Sequence, residues 1–174
     1  SRYGIRDFVL CTGRIEPRKN QLTLLRAMQE SDVPLVVLGD VVPGQEAYYA
    51  QCRRAAGSNV LFLDAFEQDD PLLGSAYAAC SCLALVSWFE TPGLVALEAG
   101  MLGKPLVLGD RGSAREYFGT MATYVPPDDT RAIRRAVNAA LRQSNSFELS
   151  RHVNENFNWR SIARDTSQAY AKLL

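Results

Sequence analysis

Two segments of this 174-residue sequence place charged side chains beside glycine and proline, a pattern that suits anion binding. The first, residues 13–20, reads Gly-Arg-Ile-Glu-Pro-Arg-Lys-Asn and carries the cations Arg14, Arg18 and Lys19. Gly13 permits close approach of a ligand to the backbone, and the proline stiffens the loop. Because a hydrogen bond from a charged donor contributes roughly 1.5–3 kcal/mol, this loop suits a diphosphate. A solvated surface loop is the alternative interpretation.

The second segment, residues 87–98, carries one acid just ahead of a predicted helix, whose start is set by Pro92 and Gly93. The backbone amides that lack an intrahelical acceptor there are those of Gly93, Leu94 and Val95. Together with the positive end of the helix dipole, these amides form an anion site. The acid is Glu90, which suits a sugar lying beyond the phosphates; alternatively it is an ordinary acid at a helix N-terminus.

A second acid, Glu98, lies roughly 7–8 Å further along the axis of the same predicted helix. Its neighbours in the sequence are apolar, which indicates that the helix is buried on most faces. A buried carboxylate needs a partner, so we interpret Glu98 as an acceptor for ribose hydroxyls. An exposed helix carboxylate is the alternative.

The composition excludes several other kinds of site. Lys and Arg number 19 and Asp and Glu number 19, so no global basic field exists to hold nucleic acid or an anionic membrane. Neither a Gly-x-Gly-x-x-Gly motif nor a P-loop occurs, and no apolar run approaches the ~20 residues that span a bilayer. The four cysteines form no Cys-x2-Cys pair and lie far from the single histidine, His152, so we expect buried free thiols and no metal site.

Regular elements must position the two segments, and short apolar runs do alternate with longer amphipathic stretches. The predicted strands are residues 8–12, 34–38, 59–63, 82–86, 105–108 and 122–125. The predicted helices are residues 21–30, 45–56, 70–79, 93–102, 113–118, 130–142, 147–156 and 159–174. Most strand runs are continuously apolar, which is typical of parallel strands that are covered on both faces.

Repeated strand–helix units predict an α/β fold, a Rossmann-like doubly wound parallel sheet of about six strands with helices on both faces. The expected strand order is 3-2-1-4-5-6 with right-handed crossovers. Strands one and four are then neighbours at the topological switch point, where ligands bind at the carboxyl ends of the strands. Because the two charged segments follow these two strands, we expect them to face each other across one crevice.

The spacing of these residues resembles the retaining nucleotide-sugar glycosyltransferases of family four, the group 1 glycosyltransferases of GT-B fold. Glu90-x7-Glu98 matches the hallmark of that family, and residues 13–20 resemble its phosphate loop. Further matches are Gly39-Asp40, Tyr77, Ser87, residues 99–105, Gly112, Glu116 and residues 157–159. Asp64 stands where the family usually has glycine near the base, which leaves the identity of the nucleotide open.

The resemblance implies a role for each matched residue. Arg14 and Lys19 would bind the diphosphate and stabilise it as it leaves, Glu90 would contact the donor sugar, and Glu98 the ribose. The other substrate contacts would come from Gly13 in the phosphate loop, the backbone of Ala65 and Phe66 at the base, and the amides of Gly93, Leu94 and Val95 at the distal phosphate. The donor would be a UDP-, GDP- or ADP-sugar. The anomeric configuration would be retained by front-face displacement, with no metal or other cofactor.

The resemblance covers residues 1–174 as the C-terminal, donor-binding domain of such an enzyme. Because the sequence lacks the N-terminal domain through which a glycan or lipid-linked acceptor would bind, we expect the isolated chain to transfer little or no sugar. The last helix would then leave Tyr170, Leu173 and Leu174 exposed. We expect a cytoplasmic protein that contacts the inner face of the membrane only peripherally. A GT-B-type nucleotide-sugar epimerase and a non-catalytic nucleotide-binding module are the alternatives.

Overall fold

The structure, a computed structural model, describes residues 3–29, 31–67, 69–91 and 93–172. In these residues six parallel strands form one sheet in the order β3-β2-β1-β4-β5-β6, which confirms the predicted fold class and strand order. The strands are β1 (Phe8–Thr12), β2 (Leu35–Leu38), β3 (Val60–Leu63), β4 (Cys80–Leu85), β5 (Leu106–Gly109) and β6 (Thr123–Val125). The carboxyl ends of β1 and β4 are therefore adjacent, as the position of the site requires.

Helices connect the strands at every crossover, and each lies where the sequence predicts it, with ends that differ by at most a few residues. They are α1 (Gln21–Met28), α2 (Glu46–Ala55), α3 (Pro71–Ala79), α4 (Leu94–Met101), α5 (Ala114–Phe118), α6 (Thr130–Ala140), α7 (Phe147–Asn156) and α8 (Trp159–Ala171). A short 3₁₀ turn, Pro17–Lys19, precedes α1. No helix in the described ranges has both the length and the apolar character needed to cross a membrane.

The inner strands β2, β1, β4 and β5 are buried on both faces, which accounts for their apolar sequences, whereas the edge strand β3 is half-buried throughout. Successive residues of β1 point to opposite sides: Val9 and Cys11 pack with α1, α2 and α6, whereas Phe8 and Leu10 pack with α3, α4, α5 and α7. All five residues of β1 are buried. Such complete burial makes this strand a rigid base for the loop that follows it.

Helix starts are fixed by side-chain caps that the sequence encodes. The Asp129 carboxylate accepts from the amides of Arg131 and Ala132 at 2.9 and 2.8 Å and so caps the start of α6. Asn158 caps α8 by accepting from the Ser161 amide at 2.9 Å. Asn158 belongs to the matched segment Phe-Asn-Trp, residues 157–159, and this cap gives a physical reason for an asparagine at its centre.

The four cysteines are free and buried, as the sequence predicts. Burial raises the pKa of Cys11 and of Cys82 to about 12, and that of Cys80 to about 11. Tyr170 of α8 is 66% exposed, in agreement with the expectation for the last helix. Leu173 and Leu174, which share that expectation, lie outside the described residues.

Candidate functional site

The loops after β1 and β4 are joined to each other by side-chain and backbone bonds. Lys19 Nζ donates to Glu90 Oε1 at 2.6 Å, and Arg18 donates to the carbonyl of Phe89 at 2.9 Å. The amide of Trp88 in turn donates to the Arg18 carbonyl at 2.9 Å. The structure therefore brings the predicted cationic loop and the predicted acidic loop together at the switch point.

Asn20 ties the end of the cationic loop to two other loops. Its side-chain amide donates to the carbonyls of Val86 at 2.9 Å and Pro127 at 2.7 Å. Its backbone has a left-handed conformation with φ of 59°, which asparagine tolerates better than most residues. The residue is buried, so these bonds are shielded from water and anchor the end of the loop.

Glu16, for which the sequence analysis proposes no role, contacts two arginines of its own loop. Its carboxylate lies 2.8 Å from the Arg18 guanidinium and 3.4 Å from that of Arg14. The Arg14 side chain is nevertheless 67% exposed, and its carbonyl accepts from Gln21 at 2.8 Å. Arg14 is thus fixed at its backbone while its charged end stays accessible to a ligand.

Two glycines bring the ends of β1 and β2 into close contact. Gly13 has φ of 133° and donates its amide to the Leu38 carbonyl at 2.9 Å. A Cβ atom on Gly39, at φ of 153°, would collide with the carbonyl oxygen of Gly13. Glycine at both positions therefore lets the backbone form one wall of the crevice.

A cavity of about 310 Å³ opens beside the loop after β1. It is lined by Thr12, Gly13, Arg14, Leu38, Gly39, Asp40, Ala65, Phe66, Leu73, Tyr77, Val95 and Glu98. Six of the residues that the sequence selects lie together here: Gly13, Arg14, Ala65, Phe66, Val95 and Glu98. Asp40 accepts from the Ala65 amide at 2.9 Å, which holds the segment after β3 against the loop after β2.

A second cavity, of about 440 Å³, adjoins the first at Val95. It is lined by Arg18, Lys19, Phe89, Glu90, Thr91, Leu94 and Val95. Of the four other predicted residues, Lys19, Glu90 and Leu94 lie in this neighbouring compartment. Both Lys19 and Glu90 are largely shielded, with side chains 13% and 11% exposed. Gly93, the fourth, lines neither of these cavities but a smaller one that it shares with Glu90. Pro92, expected beside it at the helix start, lies outside the described residues.

The start of α4 faces the junction of the two cavities. Gly93 precedes the helix without a side-chain cap, and its carbonyl accepts from the amides of Ala96 at 2.8 Å and Leu97 at 3.2 Å. In the described part of the chain no hydrogen bond is made by the amides of Leu94 and Val95. These are two of the three amides that the sequence predicts to lack an intrahelical acceptor, and amides so placed at a helix start can bind an anion.

Glu98 is held by a side chain from a different helix. The Tyr77 hydroxyl of α3 donates a hydrogen bond to Oε2 of Glu98, and both residues line the first cavity. Burial and the Glu98 carboxylate raise the pKa of Tyr77, so its hydroxyl remains a proton donor. Sequence reasoning gave Tyr77 no role, although it is the one bulky polar aromatic in an otherwise small and apolar helix.

The loop after β5 supports Glu90 from behind. The Glu90 carbonyl accepts from the Ser113 amide at 3.1 Å, and its backbone pairs with Gly112. A Cβ atom on Gly112, at φ of 94°, would collide with the same carbonyl oxygen. The glycine matched after strand five thus permits a close backbone approach.

His152 is placed away from these cavities. Its Nε2 lies 2.8 Å from the carbonyl of Tyr117, and its ring meets Phe157 edge-on with centroids 5.5 Å apart. This position in α7 fits a packing role. Across the described residues, no group of three or more His, Cys, Asp or Glu side chains is arranged to hold a metal ion.

A doubly wound sheet whose first and fourth loops converge on a two-part crevice is the architecture of GT-B glycosyltransferase domains. HepE from Anabaena, solved with UDP and glucose, matches with a TM-score of 0.85 at 23% identity, over 98% of this chain and 50% of HepE. The family model described as glycosyl transferases group 1 matches residues 3–158. The chain belongs to the group 1 glycosyltransferases.

Two curated relatives agree with this assignment. D-rhamnosyltransferase WbpZ of Pseudomonas aeruginosa is 33% identical over 135 residues, which cover 75% of this chain and 35% of WbpZ. A GDP-mannose-dependent alpha-(1-6)-phosphatidylinositol monomannoside mannosyltransferase of Mycolicibacterium smegmatis is 32% identical over 181 residues, 92% of this chain and 47% of the relative. The chain therefore spans less than half the length of either relative.

Proposed function

We propose that this chain is the donor-binding domain of a retaining glycosyltransferase. The reaction transfers a sugar from a nucleoside-diphosphate sugar to a glycan or a lipid-linked glycan. The observation that carries the proposal is the contact between Lys19 and Glu90 in the second cavity, which adjoins the first at Val95. Lys19 is a cation suited to phosphate, and Glu90 is an acid suited to sugar hydroxyls. Both lie next to the first cavity, whose lining includes the second acid, Glu98.

The first cavity suits the nucleoside. Its volume of about 310 Å³ is at the lower end of the size of small-ligand pockets. Phe66, which lines it, suits the base, with backbone groups of residues 65 and 66 in reach. Because the Ala65 amide is already bonded to Asp40, the Ala65 carbonyl and the Phe66 ring are the groups left to contact the base. Glu98, which lines the same cavity, binds the ribose.

The diphosphate lies between the two cavities. Arg14 and Lys19 approach it from the β1 loop, with Gly13 allowing the backbone to come near. The free amides of Leu94 and Val95, together with the amide of Gly93 beside them, meet the distal phosphate at the positive end of α4. These groups are fixed before the ligand arrives, so they stabilise the negative charge that develops as the diphosphate leaves.

The second cavity suits the donor sugar, with Glu90 accepting hydrogen bonds from its hydroxyls. In front-face displacement the bond from the anomeric carbon to the phosphate oxygen breaks, and the acceptor hydroxyl bonds to that carbon on the same face. The acceptor proton passes to the departing phosphate oxygen, so atoms and charge balance without a metal. The anomeric configuration is retained because attack and departure share one face.

The acceptor binds through a separate N-terminal domain, which in a GT-B enzyme closes over the same crevice. The isolated chain is then expected to bind donor nucleotide weakly and to transfer little or no sugar. The whole enzyme would act in the cytoplasm, with peripheral contact at the inner face of the membrane. The names of the relatives make GDP the first nucleotide to test, followed by UDP and ADP.

A thermal-shift panel of GDP, UDP and ADP tests the proposal. Free ligand at 100 times its Kd adds about 2.7 kcal/mol of stability, which is about 5–10 °C in Tm for a domain of this size. The nucleotide that gives the largest shift identifies the base. Absence of a shift with all three at millimolar concentration would overturn the proposal. The epimerase alternative would need an acid–base group in the site, and His152 does not supply one because its ring packs away from the cavities.

A further inference from the structure

The hydroxyl of Tyr77 meets the carboxylate of Glu98 at the wall of the proposed nucleoside cavity. The donor is on α3 and the acceptor on α4, 21 positions apart in the sequence, and the hydrogen bond runs from the phenol to Oε2. Thr12, at the end of β1, lines the same cavity beside the tyrosine hydroxyl. Three elements, β1, α3 and α4, therefore meet around the tyrosine hydroxyl.

Tyr77 is rigidly held and is a dependable donor. It is the one residue of α3 that is fully buried, with 4% of its surface exposed. Burial first, and then the neighbouring Glu98, raise the pKa of Tyr77, so the hydroxyl keeps its proton. A phenol has one proton to donate, and this one is directed at Oε2. The contact therefore fixes the side-chain orientation of Glu98.

The other carboxylate oxygen is left for a ligand. In the part of the chain that the structure describes, Oε1 of Glu98 makes no hydrogen bond. A carboxylate that is held at one oxygen presents the second in a fixed direction, and vicinal hydroxyls are the ligand groups that suit such an acceptor. Without the tyrosine hydroxyl, Glu98 would be free to rotate away.

We propose that Tyr77 is a positioning residue whose hydroxyl holds Glu98 so that its free oxygen selects ribose over deoxyribose in the donor nucleotide. This inference rests on the proposed function and adds to it a residue that acts through Glu98, together with a defined specificity. A packing role alone would affect all nucleotides equally. If Tyr77 positions Glu98, its substitution instead weakens only the binding of nucleotides that carry the ribose hydroxyl that Glu98 contacts.

The test measures Kd by calorimetry for the best-binding nucleoside diphosphate and for its 2′-deoxy and 3′-deoxy forms. The unmodified chain is expected to prefer the ribose form by about tenfold or more, the size of one hydrogen bond to a charged group. Tyr77→Phe, which keeps the ring, is expected to reduce the preference to about threefold or less. One of the two deoxy forms lacks the hydroxyl that contacts Glu98. For that form, Tyr77→Phe and the unmodified chain are expected to have the same Kd.

Tyr124→Phe is the matched control. Its hydroxyl donates to the Gly119 carbonyl at 2.9 Å, outside both cavities, so its removal is expected to leave the ribose preference intact. In a double-mutant cycle, Tyr77→Phe added to Glu98→Ala is expected to change nothing further, because the group it positions has gone.

The outcomes are distinguishable. Full ribose preference in Tyr77→Phe, or an equal loss of affinity for all forms, would overturn the positioning role of Tyr77. Binding by the unmodified chain with no ribose preference would overturn the role of Glu98, and with it this inference. Failure of GDP, UDP and ADP to bind at all would overturn the proposed function itself.

Discussion

Lys19 donates to Glu90 across 2.6 Å, although the two residues are 71 positions apart in the sequence. The Arg18 guanidinium lies 3.7 Å from the same carboxylate oxygen, so one acid faces two cations. Under the proposed function, a diphosphate bound here would meet cations that already have a carboxylate partner. We therefore expect Glu90 to compete with phosphate for Lys19 while it favours the binding of a sugar.

Replacing Lys19 by alanine is expected to weaken nucleoside diphosphate binding by about 10- to 100-fold, because a charged hydrogen bond to phosphate is lost. Arg14→Ala changes Kd in the same direction. Calorimetry measures both, and circular dichroism confirms that the variants fold. Arg135→Ala, on the exposed side of α6, is the matched control. An equal loss in Arg135→Ala would indicate a general charge effect and contradict a built phosphate site.

Glu90→Gln is expected to strengthen the binding of a nucleoside diphosphate, the opposite of the effect of Lys19→Ala. It keeps the size of the side chain but removes the charge that competes for Lys19 and repels phosphate, so Kd for the nucleoside diphosphate falls about threefold to tenfold. Glu98→Gln is the comparison, because loss of an acceptor for ribose raises the same Kd. Calorimetry with one ligand measures both. A change in the same direction for the two variants would contradict their separate roles.

The sequence was sufficient to predict the sheet, its strand order and the meeting of the two loops. These features follow from apolar runs, helical spacing and chain connectivity, and the bounds of β1 and α7 match the prediction residue for residue. β4 is an exception, since it begins at Cys80, two residues early, where the chain pairs with Phe8 through an irregular register. Pairing with a neighbour, which no local pattern encodes, extends the strand.

The partners of the charged groups could not be predicted in the same way. Glu16 bridges two arginines of its own loop, and Tyr77 reaches Glu98 from another helix. Asp40 holds the segment after β3 through the Ala65 amide. Each contact depends on where a side chain ends in three dimensions, so residue type and spacing alone leave it undetermined.

Asn20→Ala is expected to lower the free energy of unfolding by about 2–4 kcal/mol. The substitution leaves the carbonyls of Val86 and Pro127 without a donor and places alanine in a left-handed backbone conformation. Asn20→Gly is expected to be about 1 kcal/mol less destabilising, since glycine accepts that conformation. Urea denaturation measures both, with exposed Asn138→Ala as the control. Equal effects of alanine and glycine would mean that backbone strain contributes nothing.

The buried thiols are expected to make the protein less stable in alkali. The pKa values of Cys11 and Cys82 are raised by burial to about 12 in the folded state, above the ordinary thiol value near 9. The unfolded chain therefore loses these protons first, and stability falls as pH rises from 9 towards 12. Between pH 7.5 and 9.5 each thiol accounts for about 1 kcal/mol of that fall. Urea midpoints measured across this range test the sign, and Cys11→Ala should make the decline shallower. A midpoint that rises with pH would contradict the burial of neutral thiols.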